Sequence, residues 1–458
     1  MAKVAVIGGG VAGVSASLLL DEDITLFEKE SSLISGPPFC HLHAGGNLYP
    51  QIPVKECVQL LKESINFLKL YPYSVDFRPT VSIFPKECTI NLDSYINRLE
   101  VIKNEYKNLV KKDSSNLVLG EVENYYKLYS KENLLELSKK EIVKDPKSFD
   151  EWLINSAKYI NLDAIKYPVV VVNEFGLNLF RLASGATLAL NSKKNLNLLL
   201  DTKVLDVKRL NSKFLVTYEI NGAVLQEKFD YLINAAGFKS GLIDDMLGLK
   251  RERLVEFKAA YVTKWQNSIK FPEIIFHGKR GTPKGMAQFT PYYGGYFQLH
   301  GMSKDITLFN NGLVKSSNSS SYPKLDNFFL DIIDFGWSED IATLRTKKAI
   351  EHFKNFMPKF AKEATVTKKP LFGAQQIPGS NSELRAAEVN FEQNYARCEI
   401  VKVSSAINMA KEIAKEFNLK LNSNIKSDFN SKDITALAKE IAKSRDYPSE
   451  LGEVVNSI

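Results

Sequence analysis

Residues 3 to 29 narrow the choice of fold more than any other stretch of this chain. Val4 to Ile7 are small or β-branched and apolar, as a strand buried on both faces requires. Gly8, Gly10 and Gly13 follow at Gly-x-Gly-x-x-Gly spacing. In such a turn the first glycine permits the tight bend and the second lets a pyrophosphate approach the backbone. The third lets the next helix pack closely on the strand. Val11 and Ala12 open that helix, and Ala12, Ser15 and Ala16 keep it thin. Its free N–H groups and positive dipole end face the phosphates. Ile24 to Phe27 form a second apolar strand that ends on Glu28 and Lys29, where the pattern expects an acid for ribose hydroxyls. A carboxylate there favours an unphosphorylated ribose, hence FAD or NAD over NADP.

The 458 residues, 44% of them hydrophobic, are enough for two or three domains with real cores. No apolar run approaches the ~20 residues of a membrane span. The chain opens directly on the core strand, which predicts no secretory leader. Cys40, Cys57, Cys88 and Cys398 lie far apart, without the spacing of metal ligands. They fit a reducing cytoplasm, and no metal site is expected. The net charge of +7 comes from scattered lysines. It is too diffuse for nucleic acid, and it suits an acidic substrate or the anionic inner face of the cytoplasmic membrane.

Past Glu28, residues 31 to 47 form a loop rich in glycine and proline that carries His41 and His43 and ends in Ala44, Gly45, Gly46 and Asn47. A long loop beside a nucleotide site is more often functional than decorative. Val54 to Leu70 have helical spacing, and Val75 to Ile83 read as a strand. Residues 86 to 165 are rich in lysine, glutamate and asparagine with leucines at helical intervals, which predicts a helical insertion carrying Tyr125, Tyr126 and Tyr129. Core pattern returns at Val169 to Val172 and in the small-residue helix Leu177 to Leu190. Short strands follow, the last running into Ala235, Ala236 and Gly237, a second small-residue turn able to approach a nucleotide. Residues 250 to 370 alternate strand-like pieces, Ile306 to Phe309 among them, with two helices. The tail beyond Leu419 is polar with one helix near Ser431 to Ser444.

Taken together, these pieces resemble the D-amino-acid-oxidase-like superfamily of FAD-dependent oxidoreductases. The matching residues are the glycine turn with Glu28, the strand Thr202-x-Val204-x-x-Val207, the segment Phe229 to Gly237, and a late helix opening at Ser404, Ser405 and Ala406. The resemblance implies an α/β fold: a Rossmann-like FAD-binding domain of glutathione-reductase type from residues 1–85, 166–249 and 371–420. A sheet-plus-helix substrate domain (250–370), the insertion (86–165) and a C-terminal helical tail (421–458) complete it. Within the superfamily, Ala44 to Asn47 and Gly373-Ala-Gln-Gln are similar to segments of malate:quinone oxidoreductases and 2-hydroxyacid dehydrogenases. His43-Ala-Gly-Gly is also similar to the loop of dimethylglycine and sarcosine dehydrogenases in which a histidine carries flavin covalently.

That resemblance implies oxidation of a small 2-hydroxy acid, malate-like, by hydride transfer to FAD, with electrons passed to a quinone at the membrane face. The alternative is an amine or amino-acid oxidase of glycine or sarcosine type, and a second alternative is a non-catalytic FAD-containing interaction protein. Hydroxy-acid oxidation needs a carboxylate clamp, best an arginine fork, and a base of near-neutral pKa, best a histidine. His300, on the alternating stretch Gly295 to Gly301 with Gln298 on the same face, is the first choice for the base. His277 with Arg280 is the second. Arg385 is the choice for the carboxylate, with Arg181 in reserve. Lys402 is placed to steady negative charge on reduced flavin, or is simply solvated, and Ser404 has the character of an N-cap.

Overall fold

The computed structural model describes residues 1–36, 42, 52–265, 268–367, 369–382, 387–400 and 402–456. β1 (Lys3–Ile7) enters α1 (Val11–Leu19), and the chain returns through β2 (Asp23–Phe27). β1 lies at the centre of a six-stranded sheet whose order is Glu388–Glu392, Tyr395–Glu399, Tyr231–Asn234, β1, β2, Leu196–Leu199. All neighbours run parallel except the first pair. One face, bearing Val4, Val6, Ile24 and Leu26, packs in one cluster with α1 and the helices Leu179–Asn191 and Ala406–Glu416. The other, bearing Ala5, Ile7 and Phe27, packs on the antiparallel sheet Thr202–Leu210, Lys213–Ile220, Ala223–Phe229. Burial on both sides is why β1 is apolar at every position from Val4 to Ile7.

A second, ten-stranded sheet is centred on the long strand Arg253–Lys264. Its order continues through Tyr296–Gly301, Ala287–Tyr292, Glu273–Phe276, Thr80–Ile83, Val169–Val172 and Tyr126–Tyr129. Leu371–Pro378 pairs with the long strand as well. Thr80–Ile83, Val169–Val172 and Leu371–Pro378 are therefore strands of the larger sheet. This corrects the boundaries at 85, 166 and 371, because a strand belongs to the sheet that satisfies its backbone groups. Segments from residues 86–165 form the helices Leu92–Lys112, Lys131–Ser138 and Phe149–Ala157. Tyr126–Tyr129, expected on a helix, is an edge strand paired with Val169–Val172. Ile306 to Phe309 form turns rather than a strand.

Alternation gives the large sheet two unlike faces. Val81, Val171, Ile274, Phe276, Phe289, Phe297 and Leu299 lie under the outer helices. Val172, Val262, Tyr292 and Leu371, on the opposite face, join the core cluster of the first domain. The polar side chains on that second face are thus inter-domain.

The tail is more than a solvated appendage. Its helix Ser431–Ser444 packs on Leu179–Asn191. Arg445 then donates to Ser32 Oγ and to the carbonyls of Leu33 and Ile34, in the loop after β2. Tyr447 Oη donates to the Pro370 carbonyl, 2.7 Å. The backbone N–H groups of Val455 and Asn456 end on the Asp76 carboxylate at 3.3 and 2.9 Å.

Candidate functional site

The glycine turn has the geometry that its spacing predicts. Gly8 sits at φ +105°, and a Cβ there would meet the Ala235 carbonyl oxygen at 2.4 Å. A Cβ on Gly13 would fall 1.9 Å from the Gly8 carbonyl oxygen, so the helix can cross only as glycine. Gly10, the residue before α1, has nothing within 4 Å of a Cβ position. Two glycines are thus required by protein packing and the third by none. The space beside Gly10, under the N–H groups of the first helical turn, leaves room for an anionic group. Ala235 N–H donates to the Ile7 carbonyl at 2.8 Å and Gly237 takes φ +58°, which brings the second small-residue turn against the first.

Glu28, the residue after β2, is buried. Its two carboxylate oxygens accept the Gly9 N–H at 2.6 Å and the Glu30 N–H at 2.9 Å. Burial raises its pKa, opposed by those two donors. Lys29 is exposed and pairs with Glu30 at 2.7 Å. Val204 faces Tyr218 across the antiparallel sheet.

At the late helix, a 3-10 turn (Val403–Ser405) precedes Ala406–Glu416, which moves the cap position from Ser404 to Ser405. Neither hydroxyl caps. Ser405 Oγ donates to Glu63 Oε2 at 2.6 Å, and the buried Ser404 Oγ has no partner among the described residues. An orphaned buried hydroxyl at a helix opening suits a group that brings its own acceptor. Lys402 is buried rather than solvated.

The inter-domain face carries the second half of the site. His300 and Gln298 share it, with Gln298 Nε2 3.4 Å from His300 Nδ1. Burial, with Lys258 nearby, holds the His300 imidazole down to about 3, so it is neutral. His277 and Arg280 do not form a pair. His277 stacks on Phe84 at 4.3 Å, and burial lowers it to about 3. Arg280 reaches Glu256 instead, which also takes Lys258 at 2.9 Å. Gly373 stands opposite Lys258, whose Nζ donates to Gln375 at 2.7 Å. Arg181 is tied to the Tyr73 carbonyl at 3.0 Å and Thr435 Oγ at 2.7 Å, a structural role. His43, Ala44, Gly45, Gly46 and Arg385 lie outside the described residues.

Sequence reasoning missed the centre of this face. Glu273 is fully buried, accepts Gln288 Nε2 at 2.7 Å and Thr290 Oγ at 2.6 Å, and pairs with Arg78. Arg78 in turn pairs with Asp76 at 3.3 Å. Burial raises the Glu273 pKa and Arg78 opposes it. The available signal was a charged residue at a strand position flanked by apolar ones, as in Glu273-Ile-Ile-Phe and Val255-Glu-Phe-Lys258. A further buried cluster ties the domains together. Asp244 takes Arg397 through two bonds of 2.6 Å and Arg253 at 3.1 Å, and Glu399 takes Arg253 at 3.0 Å.

No family model matches the chain, and no curated protein matches it in sequence. Solved structures do match. Glycine oxidase from Geobacillus kaustophilus superposes with a TM-score of 0.56 at 10% identity, over 94% of this chain and 100% of that one. L-alpha-glycerophosphate oxidase from Mycoplasma pneumoniae, with FAD bound, gives 0.60 at 15% identity over 94% and 99%. L-proline dehydrogenase from P. horikoshii gives 0.56 at 15% identity over 98% and 99%. The chain has their fold. The likeness spans the six-stranded sheet and the large sheet alike, because nearly the whole length of each chain is covered.

Proposed function

We propose that the protein is an FAD-dependent oxidoreductase acting on a small carboxylate-bearing substrate between its two sheets. The observation that carries this reading is the open space at Gly10, set between two glycines that packing alone requires. Bound FAD supplies the hydride acceptor. The N–H groups opening α1 would hold the pyrophosphate, and Glu28, which braces the turn through the Gly9 and Glu30 N–H groups, would offer its remaining acceptor capacity to the ribose hydroxyls. Ser404 and the opening N–H groups of Ala406–Glu416 offer donors to a carbonyl or anionic edge. Arg385, chosen from sequence alone, is the proposed carboxylate clamp.

Two substrate classes fit this frame. A malate-like 2-hydroxy acid, with quinone as acceptor and contact at the membrane face, needs a base for the hydroxyl proton. An amine or amino acid binds as the neutral amine and needs none. A neutral imidazole held down to about 3 is a weak proton acceptor, so the state of His300 favours the amine. The names of the similar structures do not separate the two classes, since glycine oxidase and L-proline dehydrogenase stand beside L-alpha-glycerophosphate oxidase. No helix among the described residues is long and apolar enough to cross a membrane.

The test is an absorbance spectrum of the purified protein, then anaerobic addition of malate, lactate, 2-hydroxyglutarate, glycine and sarcosine. Bleaching of a yellow band by glycine or sarcosine supports the amine reading; bleaching by a hydroxy acid supports the other. For a hydroxy acid, His300→Asn collapses turnover if His300 is the base. A yellow protein that no acid or amine bleaches supports the non-catalytic alternative. Colourless material that takes up no FAD ends the proposal.

A further inference from the structure

A cavity of about 390 Å³ opens at one end of the large sheet, away from the glycine turn in its lining. Its walls are aromatic: Phe77, Phe149, Trp152 and Phe175. Phe77 and Phe175 meet edge to face at 5.2 Å, and Trp152 is buried. Phe77 and Pro79 come from just before the strand Thr80–Ile83. Phe175 comes from just after Val169–Val172, and Phe149 and Trp152 from the insertion helix Phe149–Ala157. Three segments distant in sequence therefore bring rings to one space that opens to solvent.

The polar rim is charged. Lys147, in the lining, lies 3.0 Å from Asp145, and Lys270 lies 2.9 Å from the same carboxylate. Lys270 is also 3.5 Å from Asn456 Oδ1, another lining residue. The Glu151 carboxylate accepts the backbone Lys147 and Ser148 N–H groups at 2.7 and 2.9 Å, so two carboxylates balance the two ammonium groups, and the cationic side chain within the lining itself is Lys147. The amides of Asn173 and Asn456 already donate to the carbonyls of Asn124 and Phe77, at 3.1 and 3.0 Å. Recognition therefore falls to the rings and Lys147. The volume lies within the ~300–1,000 Å³ of small-molecule sites and suits two fused rings.

We propose that this cavity is a second ligand site, separate from the inter-domain face, and that it takes a flat aromatic anion. The site is wired to the inter-domain face. Phe77 and Pro79 flank Arg78, which reaches Glu273, and the Asn456 N–H holds Asp76, the other partner of Arg78. An occupant that shifts Phe77 or Asn456 therefore acts on the ion chain that positions Gln288 and Thr290.

The experiment is calorimetric titration of the full-length protein, as purified, with 2-naphthoate and separately with 2-naphthylmethylammonium. Saturable one-to-one binding of the anion is expected, about fivefold tighter than that of the cation. Phe77→Ala and Phe149→Ala each weaken the anion about tenfold. Lys147→Glu, an exposed substitution that leaves the fold intact, weakens it about fivefold. Phe149 is only partly buried, so its variant stands in if Phe77→Ala does not fold. Absence of saturable binding overturns the proposal, as does equal affinity for the two probes. Anion binding unchanged in both Lys147→Glu and Phe149→Ala places the probe elsewhere and also overturns it.

Discussion

At the first turn the backbone makes the site, whereas on the face of the large sheet side chains make it. Gly8, Gly10 and Gly13 work by lacking atoms, and each has a local duty: a positive φ, an open approach, a close crossing. Asp76, Arg78, Glu273, Gln288 and Thr290 work by possessing charge and hydrogen-bonding groups, and they come from segments as distant as residues 76 and 290. The first kind of site tolerates almost no change in shape. The second tolerates shape change but not loss of a charge, since a buried ion without its partner is costly.

That contrast can be broken by substitution. The largest effect is expected at the buried inter-domain cluster: Asp244→Asn leaves Arg253 and Arg397 with Glu399 as their remaining carboxylate. It should cost about 4 kcal/mol in a urea titration. Gly13→Val should cost about 3 kcal/mol and also abolish FAD uptake, read from the absorbance of reconstituted protein. If Gly13→Val instead binds FAD normally, the turn is not the nucleotide cradle.

The next effect is a pH dependence. His277 and His300 are both held down to about 3 in the folded chain by burial. Unfolded imidazoles titrate near ~6.5, so in the window between, the unfolded chain binds protons that the folded chain refuses. Stability is complete above that window and is lost as pH falls through it, by up to roughly 1.4 kcal/mol per pH unit for each histidine. Urea midpoints measured from pH 7 to pH 5 check this; burial lowers His352 as well, so His300→Asn should remove about half of the slope that His277 and His300 contribute and leave the rest. The smallest effect sharpens the comparison from the other side. Ser404→Ala should change stability by less than about 0.5 kcal/mol, because the hydroxyl it removes has no partner among the described residues. Its FAD affinity should nonetheless fall, by equilibrium dialysis, if that hydroxyl faces the flavin.

The same contrast explains what could be read ahead of the structure. The glycine turn, β2, the second small-residue turn and the tail helix at Ser431–Ser444 were legible because each depends on residues close together in sequence. His300 and Gln298 were legible as one face because alternation alone decides it. The inter-domain ion chain was not, since no local rule joins Arg78 to Glu273. The division between sheets was misjudged at Thr80–Ile83 and Leu371–Pro378 for a related reason. A strand's sequence tells that it is buried, not which neighbour buries it. Tyr126–Tyr129 followed the insertion's helical composition in sequence but took its conformation from an available sheet edge.

The latch made by Arg445 fixes an order of events. The loop after β2 is made early, yet the guanidinium that gathers Ser32, Leu33 and Ile34 lies 411 residues beyond Ile34. The central sheet likewise waits for Tyr395–Glu399 before its edge is filled. Synthesis therefore leaves the loop beside the glycine turn unlatched until Arg445 has been made, a vulnerable interval for aggregation or proteolysis. Premature termination anywhere before Arg445 would prolong that interval indefinitely.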